Sequence, residues 1–431
     1  MARIDLYAII GGKPAGILSQ DESGAITFRY AQNYQGAPLS LSMPIQNRPY
    51  PQPVVRPYLF GLLPDSEEQR RAIARAYDGR PNNPVTMLAH IGLDCPGAIQ
   101  FCPADFDALV DAISASGEYV PLDDRDVACR LKALADDRGD SWHAGGEHWS
   151  LGGTQGKFAL AWHGGRWCSC RGSAATTHIF KNGVAGYKLQ ALNEYVCMRL
   201  AIRCRLRTAE VDYRLFEDEP ALIVKRFDRV EEDGKTIRLH HEDLCQSLSV
   251  MPDMKYTSDG GPSTYDVLKL LSSTGAQAHA NLRDFTSYIF FNCLIGAPDA
   301  HAKNYSLLLS EGEGVTLAPL YDVASALAYE GMARDGRLAM AIGDENRFGR
   351  VGKGAIERYA AGGSKAVGAA MAAAGLDAVG CKNLMADLAE RIPRELEHVF
   401  DEYDHLPGAE DLRRYLLGPV RDNCARTLDI I

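Results

Sequence analysis

The spacing of apolar residues changes along the chain from a pattern typical of strands to one typical of helices, and this change limits the possible folds most. Between residues 149 and 230 the pattern predicts strands at Lys157–Trp162, His178–Lys181 and Ala221–Phe227, with one helix at Gln190–Arg203. Beyond residue 240 it predicts helices at Val267–Ser273, Leu282–Leu294, Gly354–Ala373 and Cys381–Tyr403. The order predicts a two-lobed α+β fold in which a β-rich lobe precedes an α-helical lobe.

The residues before this region predict a smaller α+β module. Over residues 1–60, short apolar runs and turn-forming stretches such as Pro44–Pro53 predict strands joined by loops. Helices are predicted at Asp65–Tyr77, Val85–Ile91, Asp105–Ser116 and Asp123–Asp136. The polar stretch Asp137–His148 then predicts a boundary. The predicted organisation is an N-terminal subdomain over 1–105, a helical connector over 106–148, a β-rich lobe over 149–228 and a helical lobe over 229–431.

Charge and cysteine content argue against several classes of protein. The 431 residues carry a net charge of −10, opposite to that of a protein whose primary ligand is nucleic acid. The longest apolar run, Tyr288–Ala297, is far shorter than the ~20 residues of a membrane span. Arg3 and Asp5 interrupt the apolar stretch that an export signal needs, so we expect a cytoplasmic protein. An odd number of cysteines, 11, and the absence of Cys-x-x-Cys and His-Glu-x-x-His motifs predict neither a disulfide framework nor a zinc site.

The segment with the most chemical information directly follows the predicted helix Leu282–Leu294. It places Asp299 and Asn304 five residues apart. Phosphoryl transfer needs such a pair, because an aspartate orients or deprotonates the attacking hydroxyl and an asparagine holds magnesium. Eighteen residues later, Asp322 ends another apolar segment, where a kinase keeps the aspartate that binds the metal between the phosphates. Each aspartate alone is more simply a turn residue, but their order and spacing favour a kinase.

Two features upstream fit the same chemistry. Lys181 ends a short strand-like run, as does the lysine that pairs with phosphates in kinases. Before it, Ser150–Leu160 is a glycine-rich turn leading into a strand, and glycines let backbone N–H groups approach phosphates closely. The turn is not a Walker A loop, since Phe158 rather than Ser or Thr follows Lys157. An ordinary glycine-rich hairpin is the alternative for this segment taken alone.

Seven motifs, in order along nearly the whole chain, carry a resemblance to a known family. They are Ser150-Leu-Gly-Gly-Thr-Gln155-Gly-Lys157-Phe-Ala-Leu, Thr177-His-Ile-Phe-Lys181, Asn193-Glu194-Tyr, Lys225-Arg-Phe227-Asp228-Arg, His241-Glu-Asp243-Leu-Cys-Gln246 with Lys255-Tyr, Asp299 to Asn304, and Leu320-Tyr-Asp322. With these motifs the chain resembles the HipA family of serine/threonine kinases, toxins of bacterial type II toxin–antitoxin modules. The leading module, with Phe60-Gly-Leu-Leu-Pro64-Asp, resembles the family's N-terminal subdomain. The resemblance implies a protein-kinase-like fold related to that of phosphatidylinositol kinases.

The resemblance also implies a role for each matching residue. Asp299 is the catalytic base, His301 and Lys303 orient it or contact the transferring phosphate, and a structural hydrogen bond is the alternative for His301. Asn304 and Asp322 hold magnesium. ATP is bound by Gly152, Gly153, Thr154, Gln155 and Lys157 of the glycine-rich motif, by Lys181 at the α/β-phosphates, by Lys225 and Phe227 of the hinge at adenine, and by Asp228 near the ribose. Glu194 is the candidate partner of Lys181.

Ser150 opens the glycine-rich motif, at the position that members of this family phosphorylate in themselves. A phosphate there adds roughly −1.5 to −2 charges beside those of ATP, so we expect it to eject the loop and abolish nucleotide binding. The alternative is that Ser150 only begins the turn.

The predicted function is transfer of a phosphoryl group from ATP, with Mg²⁺, to a protein serine or threonine. The resemblance implies an aminoacyl-tRNA synthetase as the target, glutamyl-tRNA synthetase first, with inhibited translation, growth arrest and persistence as the result. It implies a HipB-like helix-turn-helix antitoxin as partner and corepressor, through which DNA is mainly contacted. Two alternatives are a small-molecule or lipid kinase of the same fold and a non-catalytic module that binds the antitoxin. The complete set of Lys181, Asp299, Asn304 and Asp322 favours catalysis.

Overall fold

The computed structural model describes residues 2–77, 79–114, 117–135, 146–184, 186–312, 314–330, 332 and 336–431. The chain forms two compact units that interrupt each other along the sequence. The first contains Met1–Asn182, Arg214–Asp253 and Leu308–Glu313, and the second contains Gly183–Tyr213, Met254–Leu307 and Gly314–Ile431. The boundary predicted at Asp137–His148 lies mostly outside the described residues, and the four-part division stays a prediction.

Strands and helices alternate throughout the chain, with helices dominating its last third. As far as residue 253 they are β1 Ile4–Ile10, β2 Lys13–Gln20, β3 Ile26–Tyr30, β4 Tyr50–Pro51, α1 Gln52–Gly61, α2 Glu67–Ala76, α3 Pro84–Ile91, β5 Ile99–Pro103, α4 Phe106–Ile113, β6 Glu118–Pro121, α5 Asp124–Ala135, β7 Phe158–His163, β8 Arg166–Arg171, β9 His178–Lys181, α6 Gln190–Arg203, β10 Val211–Phe216, β11 Glu219–Lys225, β12 Arg229–Glu232, β13 Lys235–Arg238, β14 His241–Asp243 and α7 Leu244–Ser247. Beyond it they are α8 Thr264–Ser272, α9 Ala278–Ile295, β15 Ser306–Ser310, β16 Gly314–Leu317, β17 Arg337–Ile342, β18 Glu345–Arg347, α10 Lys353–Ala360, α11 Lys365–Ala373, α12 Ala378–Glu402 and α13 Ala409–Ile430. The predicted α+β class is confirmed.

Two sheets organise the first unit. The N-terminal sheet has the order β4-β3-β2-β1-β5, and β3 shows the alternation of one buried and one solvated face. The second sheet has the order β10-β11-β9-β7-β8-β6. Its core contains Phe158, Phe180, Phe216 and, from the connector, Leu131 of α5. Because β9 pairs with β7 and β11 at the centre of this sheet, the end of β9 at Lys181 is rigidly held.

Helix α1 lies in a region where the sequence predicted strands and loops. That prediction rested on the several prolines among residues 44–57. Pro53 occupies the first turn of the helix, where a backbone N–H has no partner within the helix and its loss costs nothing. Pro57 lies inside the helix. The proline-rich stretch therefore starts a helix instead of preventing one.

The second unit is built around α9, which is buried along most of its length and packs against α8, α12 and α13. The single helix predicted over Gly354–Ala373 is two helices, α10 and α11. Gly362 and Gly363 between them adopt φ of 64° and 70°, a left-handed conformation that ends a helix. The sequence reasoning also missed α13. Within the ranges that the structure covers, no helix is both long and apolar enough to span a bilayer.

Candidate active site

The loop that carries Asp299 begins where α9 ends. Gly296 adopts a φ of 68° there, and a side chain at this position would collide with Leu327. The Ala297 N–H donates to the Asn292 carbonyl at 2.8 Å, which completes a left-handed helix end. Only glycine fits this end, so the chain leaves the buried helix abruptly and reaches Asp299 three residues later.

Backbone and side-chain hydrogen bonds fix the shape of the loop from Asp299 to Asn304. The Asp299 carbonyl accepts from the His301 N–H and from the Asn304 side-chain amide, both at 2.8 Å. The Asn304 N–H in turn donates to the His301 carbonyl at 2.9 Å. Because the Asn304 nitrogen is engaged within the loop, its Oδ1 is the atom with which this residue can bind a cation.

Asp322 has a strained backbone, with a φ of 60°. Such left-handed conformations are uncommon for residues other than glycine and concentrate at functional sites. The preceding Tyr321 is anchored, since its hydroxyl donates to the Lys303 carbonyl at 3.1 Å and lies 2.7 Å from the Ser306 hydroxyl. The segment carrying Asp322 is therefore tied to the segment that follows Asp299.

One pocket contains the predicted base, Asp299, and the two predicted magnesium ligands, Asn304 and Asp322. It is lined by Asn292, Ala297, Asp299, Ala300, Asn304, Tyr321, Asp322, Val323 and Ala324. Asp299 is solvent-exposed, yet the protein around it removes enough water to raise the pKa of its carboxyl. The Tyr256 hydroxyl and Lys255 oppose this rise, and the charge of Asp322 adds to it. A carboxylate that raises the proton affinity of its neighbour forms with it a site suited to a cation.

Tyr256 is a site residue to which the sequence assigned no role, although it lies in a motif that carries the resemblance. Its hydroxyl donates to Oδ1 of Asp299 at 2.9 Å. The Lys255 ammonium lies 5.6 Å from the centre of the Tyr256 ring, and His301 packs against the same ring with 4.9 Å between centroids. Tyr256 therefore orients the Asp299 carboxylate.

His301 is buried, with 5% of its surface exposed, and Lys303 nearby is 8% exposed. Burial, together with the positive charges of Lys255 and Lys303, lowers the pKa of His301 to about 3. The ring is thus neutral at physiological pH and supplies no positive charge to a phosphate. Its contact with Tyr256 favours a structural role in the loop over direct contact with the transferred group.

Helix α6 fixes the segment that follows Asp322. The Asn193 side chain donates to the Ser325 carbonyl at 2.7 Å and accepts from the Ser325 N–H at 3.1 Å. The Ala326 N–H donates to the Gly296 carbonyl at 2.8 Å. Glu194, next to Asn193, is 1% exposed. Its predicted pairing with Lys181, which belongs to the first unit, stays a prediction.

In the first unit, the glycine-rich segment enters β7 from a loop that is partly exposed from Gly152 to Gly156. Gly153 adopts a φ of 100°, and a Cβ there would lie 2.7 Å from the Lys157 ammonium. The positive φ is what favours glycine here, because the flexible Lys157 side chain could move aside for a Cβ. Lys181, at the end of β9, is 5% exposed, and lysines are rarely buried to this extent unless their charge is paired.

Ser150 is buried at the start of this loop. It is 1% exposed, its N–H donates to the Asp94 carbonyl at 3.0 Å, and its hydroxyl lies beside Cys95. A phosphate on this hydroxyl has no room in the structure as it stands.

The hinge segment contains a correction to the predicted site. Lys225 is exposed, Phe227 is half-buried, and Asp228 is 3% exposed. Both oxygens of Asp228 are engaged, because Arg226 donates to each, at 3.0 and 2.8 Å, and Arg229 donates to one at 2.8 Å. The Gly97 N–H also donates to Asp228, at 2.7 Å. This carboxylate therefore stabilises the unit and has no acceptor capacity exposed to a ribose.

Comparison with known proteins places these features in a family. The family model described as HipA-like C-terminal domain matches residues 149–396, and that of the HipA N-terminal domain matches residues 6–102. The putative kinase Y4mE of Sinorhizobium fredii is 33% identical over 91% of this chain and 92% of its own length. The serine/threonine-protein kinase toxin HipA of Shewanella oneidensis is 29% identical over 78% of each chain.

A solved structure agrees with the sequence comparisons. A chain in the Shewanella oneidensis complex of HipA, HipB and operator DNA superposes with a TM-score of 0.81 at 25% identity, over 99% of this chain and 98% of that one. The predicted kinase-like fold and the predicted enzyme class are thereby confirmed. The matches to both family models and the similarity to these relatives show that the chain belongs to the HipA family of serine/threonine protein kinases.

Proposed function

We propose that the chain transfers the γ-phosphoryl group of ATP to a serine or threonine hydroxyl of a protein, with Mg²⁺ as cofactor. The observation that carries this proposal is that Asp299, Asn304 and Asp322 line one and the same pocket. These are the residue types that phosphoryl transfer uses as base and metal ligands.

The pocket fits a magnesium ion. Asn304 and Asp322 offer the amide and carboxylate oxygens that Mg²⁺ prefers, and Asn292 contributes a buried Oδ1 without a hydrogen-bond partner among the described residues. Mg²⁺ is commonly held by one or two protein side chains and takes its other ligands from substrate phosphates and water, so this lining is sufficient. When bound, magnesium neutralises charge on the phosphates of the nucleotide.

Asp299 accepts the proton of the attacking hydroxyl. The Tyr256 hydroxyl holds one of its oxygens at 2.9 Å, which leaves the other directed to the substrate. The raised pKa of Asp299 makes its carboxylate a stronger proton acceptor. Lys303, which lies in the same loop, adds positive charge for the transferring group.

The nucleotide is bound by residues of the first unit. The glycine-rich residues Gly152, Gly153, Thr154 and Gln155 receive the phosphates together with Lys157, and Lys181 contacts the α/β-phosphates. Lys225 and Phe227 meet adenine through the hinge backbone. Glu194 of α6 is the proposed partner of Lys181.

The partner is a HipB-like helix-turn-helix antitoxin, because the Shewanella oneidensis relative was solved with HipB and operator DNA. The net charge of −10 suits a complex in which the antitoxin supplies the phosphate contacts to DNA. The target is an aminoacyl-tRNA synthetase, glutamyl-tRNA synthetase first. Its phosphorylation inhibits translation and leads to growth arrest and persistence.

Incubation of the purified protein with labelled ATP and Mg²⁺, with and without cell lysate, tests the proposal. We expect a labelled protein band of the mass of an aminoacyl-tRNA synthetase, and no band when EDTA replaces Mg²⁺. Label in a lipid or small-molecule fraction alone contradicts the protein substrate, and no transfer under any condition contradicts catalysis.

Ser150 is the proposed site of self-inactivation. Its buried hydroxyl cannot carry a phosphate unless the bond between the Ser150 N–H and the Asp94 carbonyl breaks and the loop leaves its place. During preincubation with ATP, we expect the wild type to lose nearly all activity and Ser150→Ala to retain it. An exposed serine of the same unit, Ser23, serves as control, and Ser23→Ala should inactivate like the wild type. Mass spectrometry that finds the phosphate elsewhere contradicts this assignment.

Tyr256→Phe removes the hydrogen bond to Asp299 and leaves the ring. Because this bond opposes the rise in the pKa of Asp299, the pKa should rise further in the variant. A base acts only when deprotonated, so the acidic limb of the kcat–pH profile should move to higher pH. At pH values above this limb, kcat should fall less than about tenfold. Tyr415→Phe, at an exposed tyrosine of α13, should leave the profile unchanged. An acidic limb at the same pH in Tyr256→Phe contradicts the role of Tyr256.

A further inference from the structure

Residues of the N-terminal family domain hold the glycine-rich loop at its start. The Asp94 N–H donates to the His148 carbonyl at 3.2 Å, and the Ser150 N–H donates to the Asp94 carbonyl at 3.0 Å. Asp94 thus pairs with the chain around Trp149 as in a parallel bridge. This attachment fixes where the loop begins and leaves its middle to other contacts.

The middle of the loop is held by the turn before α2 and by α2 itself. The Asp65 N–H donates to the Gly153 carbonyl at 3.1 Å, and the Gly153 N–H donates to Oδ1 of Asp65 at 3.4 Å. The Gln69 side-chain amide donates to the Thr154 carbonyl at 3.0 Å. Two consecutive carbonyls of the loop are therefore bound by the segment Pro64–Gln69, which we call the loop clamp.

The loop clamp is itself rigid. Nη1 of Arg70 donates to the carbonyls of Pro64 and Asp65, at 2.6 and 2.7 Å, and Nε of Arg70 donates to the Pro81 carbonyl at 3.0 Å. The Ser66 hydroxyl caps α2 by accepting from the Gln69 N–H. Gln69 thus reaches the loop from a capped helix, and the Arg70 guanidinium fixes the backbone that leads into this helix.

These contacts have a consequence for the loop's own N–H groups. A trans peptide group is planar, with its C=O and N–H pointing in opposite directions. Binding the Gly153 and Thr154 carbonyls therefore turns the N–H groups of Thr154 and Gln155 away from the clamp. A pair of N–H groups fixed on one side of a glycine-rich turn is the arrangement that receives a phosphate.

We propose that the loop clamp positions the glycine-rich loop for nucleotide binding, with Gln69 as the positioning residue that orients the peptide group between Thr154 and Gln155. This inference rests on the proposed role of the loop in binding ATP. It makes the N-terminal family domain part of the nucleotide site through contacts in its own compact unit, without requiring that any of its side chains touch the nucleotide.

The test exchanges two neighbouring side chains of α2. Gln69→Glu keeps the shape of the side chain but cannot donate to the Thr154 carbonyl. Glu68, the preceding exposed residue, makes no hydrogen bond to the described residues of the loop, so Glu68→Gln is the matched control. The double variant Glu68→Gln/Gln69→Glu swaps the two residues and keeps composition and net charge.

We expect Gln69→Glu and the double variant to raise KM for ATP about threefold to tenfold, with kcat within about twofold of the wild type. Hydrogen exchange of the loop, residues 149–157, should be faster in both without nucleotide. Gln69→Ala, which also lacks the donor, should repeat both effects, and Glu68→Gln should behave as the wild type. A wild-type KM and wild-type loop exchange in Gln69→Glu overturn the clamp.

The same exchange experiment separates this inference from the proposed function. If ATP and Mg²⁺ do not slow exchange of the loop in the wild type, the loop does not bind nucleotide and the proposed function of the loop fails. If ATP slows hydrogen exchange of the loop by the same amount in the wild type and in Gln69→Glu, with the same dependence on ATP concentration, only the loop clamp fails.

Discussion

Asp299→Asn is expected to lower kcat by about three orders of magnitude, with little change in Tm. Asparagine has the shape of aspartate and can accept the hydrogen bond that Tyr256 donates, so the loop should keep its geometry. It cannot accept a proton from the attacking hydroxyl, and removal of a general base costs about 10²- to 10⁴-fold. Single-turnover transfer of labelled phosphate to the protein target measures the effect directly.

The control for this variant is an exposed aspartate of the same unit. Asp344 is 61% exposed and pairs with Arg358 at 2.6 Å on the surface, so Asp344→Asn should transfer phosphate at the wild-type rate. ATP affinity, measured separately, should stay within about tenfold in Asp299→Asn, because the predicted nucleotide contacts come from other residues. A kcat within tenfold of the wild type would assign the base to another residue. Growth arrest by the Asp299→Asn protein in cells would show that binding alone is toxic.

The central residues of the site could be predicted from sequence because the chemistry dictates residue types at short, ordered spacings. Asp299, Asn304 and Asp322 lie within 24 residues of one another, and the structure brings them to one pocket. Tyr256 acts on Asp299 from 43 residues away, a contact that exists only once α8 and α9 have packed. No local pattern marks a tyrosine that will donate to a carboxylate, so its role could not be derived from spacing.

The fold was predicted best where one apolar period continues through an element. Helix α6 has the predicted bounds Gln190–Arg203, since the pattern is continuous and its ends are polar. The prediction failed where a few residues override the period. Gly362 and Gly363 divide one predicted helix into α10 and α11, and Pro53 starts α1 inside a stretch that composition predicted to be loop.

Asp228 shows a different limit of sequence reasoning. Its position in the hinge motif predicted a ribose contact, yet the structure surrounds it with arginines and with Gly97, which is 131 residues away. Arg226 and Arg229 also bind Asp94, 132 and 135 residues away. A motif records that a residue type is required, and only tertiary structure distinguishes a carboxylate that binds ligand from one that neutralises buried arginines.

This buried network leads to the largest expected effect on stability. Arg226 is 2% exposed and donates to Asp228 at 2.8 Å, to the Thr176 hydroxyl at 2.8 Å and to the Cys95 carbonyl at 3.0 Å. Arg226→Met keeps much of the volume of the side chain but removes one of the positive charges that neutralise the buried carboxylates of Asp94 and Asp228. Breaking a buried ion pair in this way costs about 3–5 kcal/mol. Thermal unfolding should therefore shift down by roughly 6–20 °C.

Solvation, not the ion-pair distance, should determine this loss. Arg71 and Glu67 of α2 pair at 2.7 Å with side chains 60% and 45% exposed, so Arg71→Met should cost under about 1 kcal/mol.

The buried pairs should also make the effect of Arg226→Met depend on pH. Burial raises the pKa of Asp94 and Asp228, but the neighbouring arginines lower both below the ordinary 3.8 by more than burial raises them. Their stabilising contribution is therefore complete above pH 3.8 and is lost as pH falls below it. Without Arg226 these pKa values are lowered less, so the Tm difference between wild type and Arg226→Met should narrow below that pH. Equal losses of Tm in Arg226→Met and Arg71→Met would contradict this account, because two ion pairs of nearly the same length would then stabilise the protein equally whether buried or exposed.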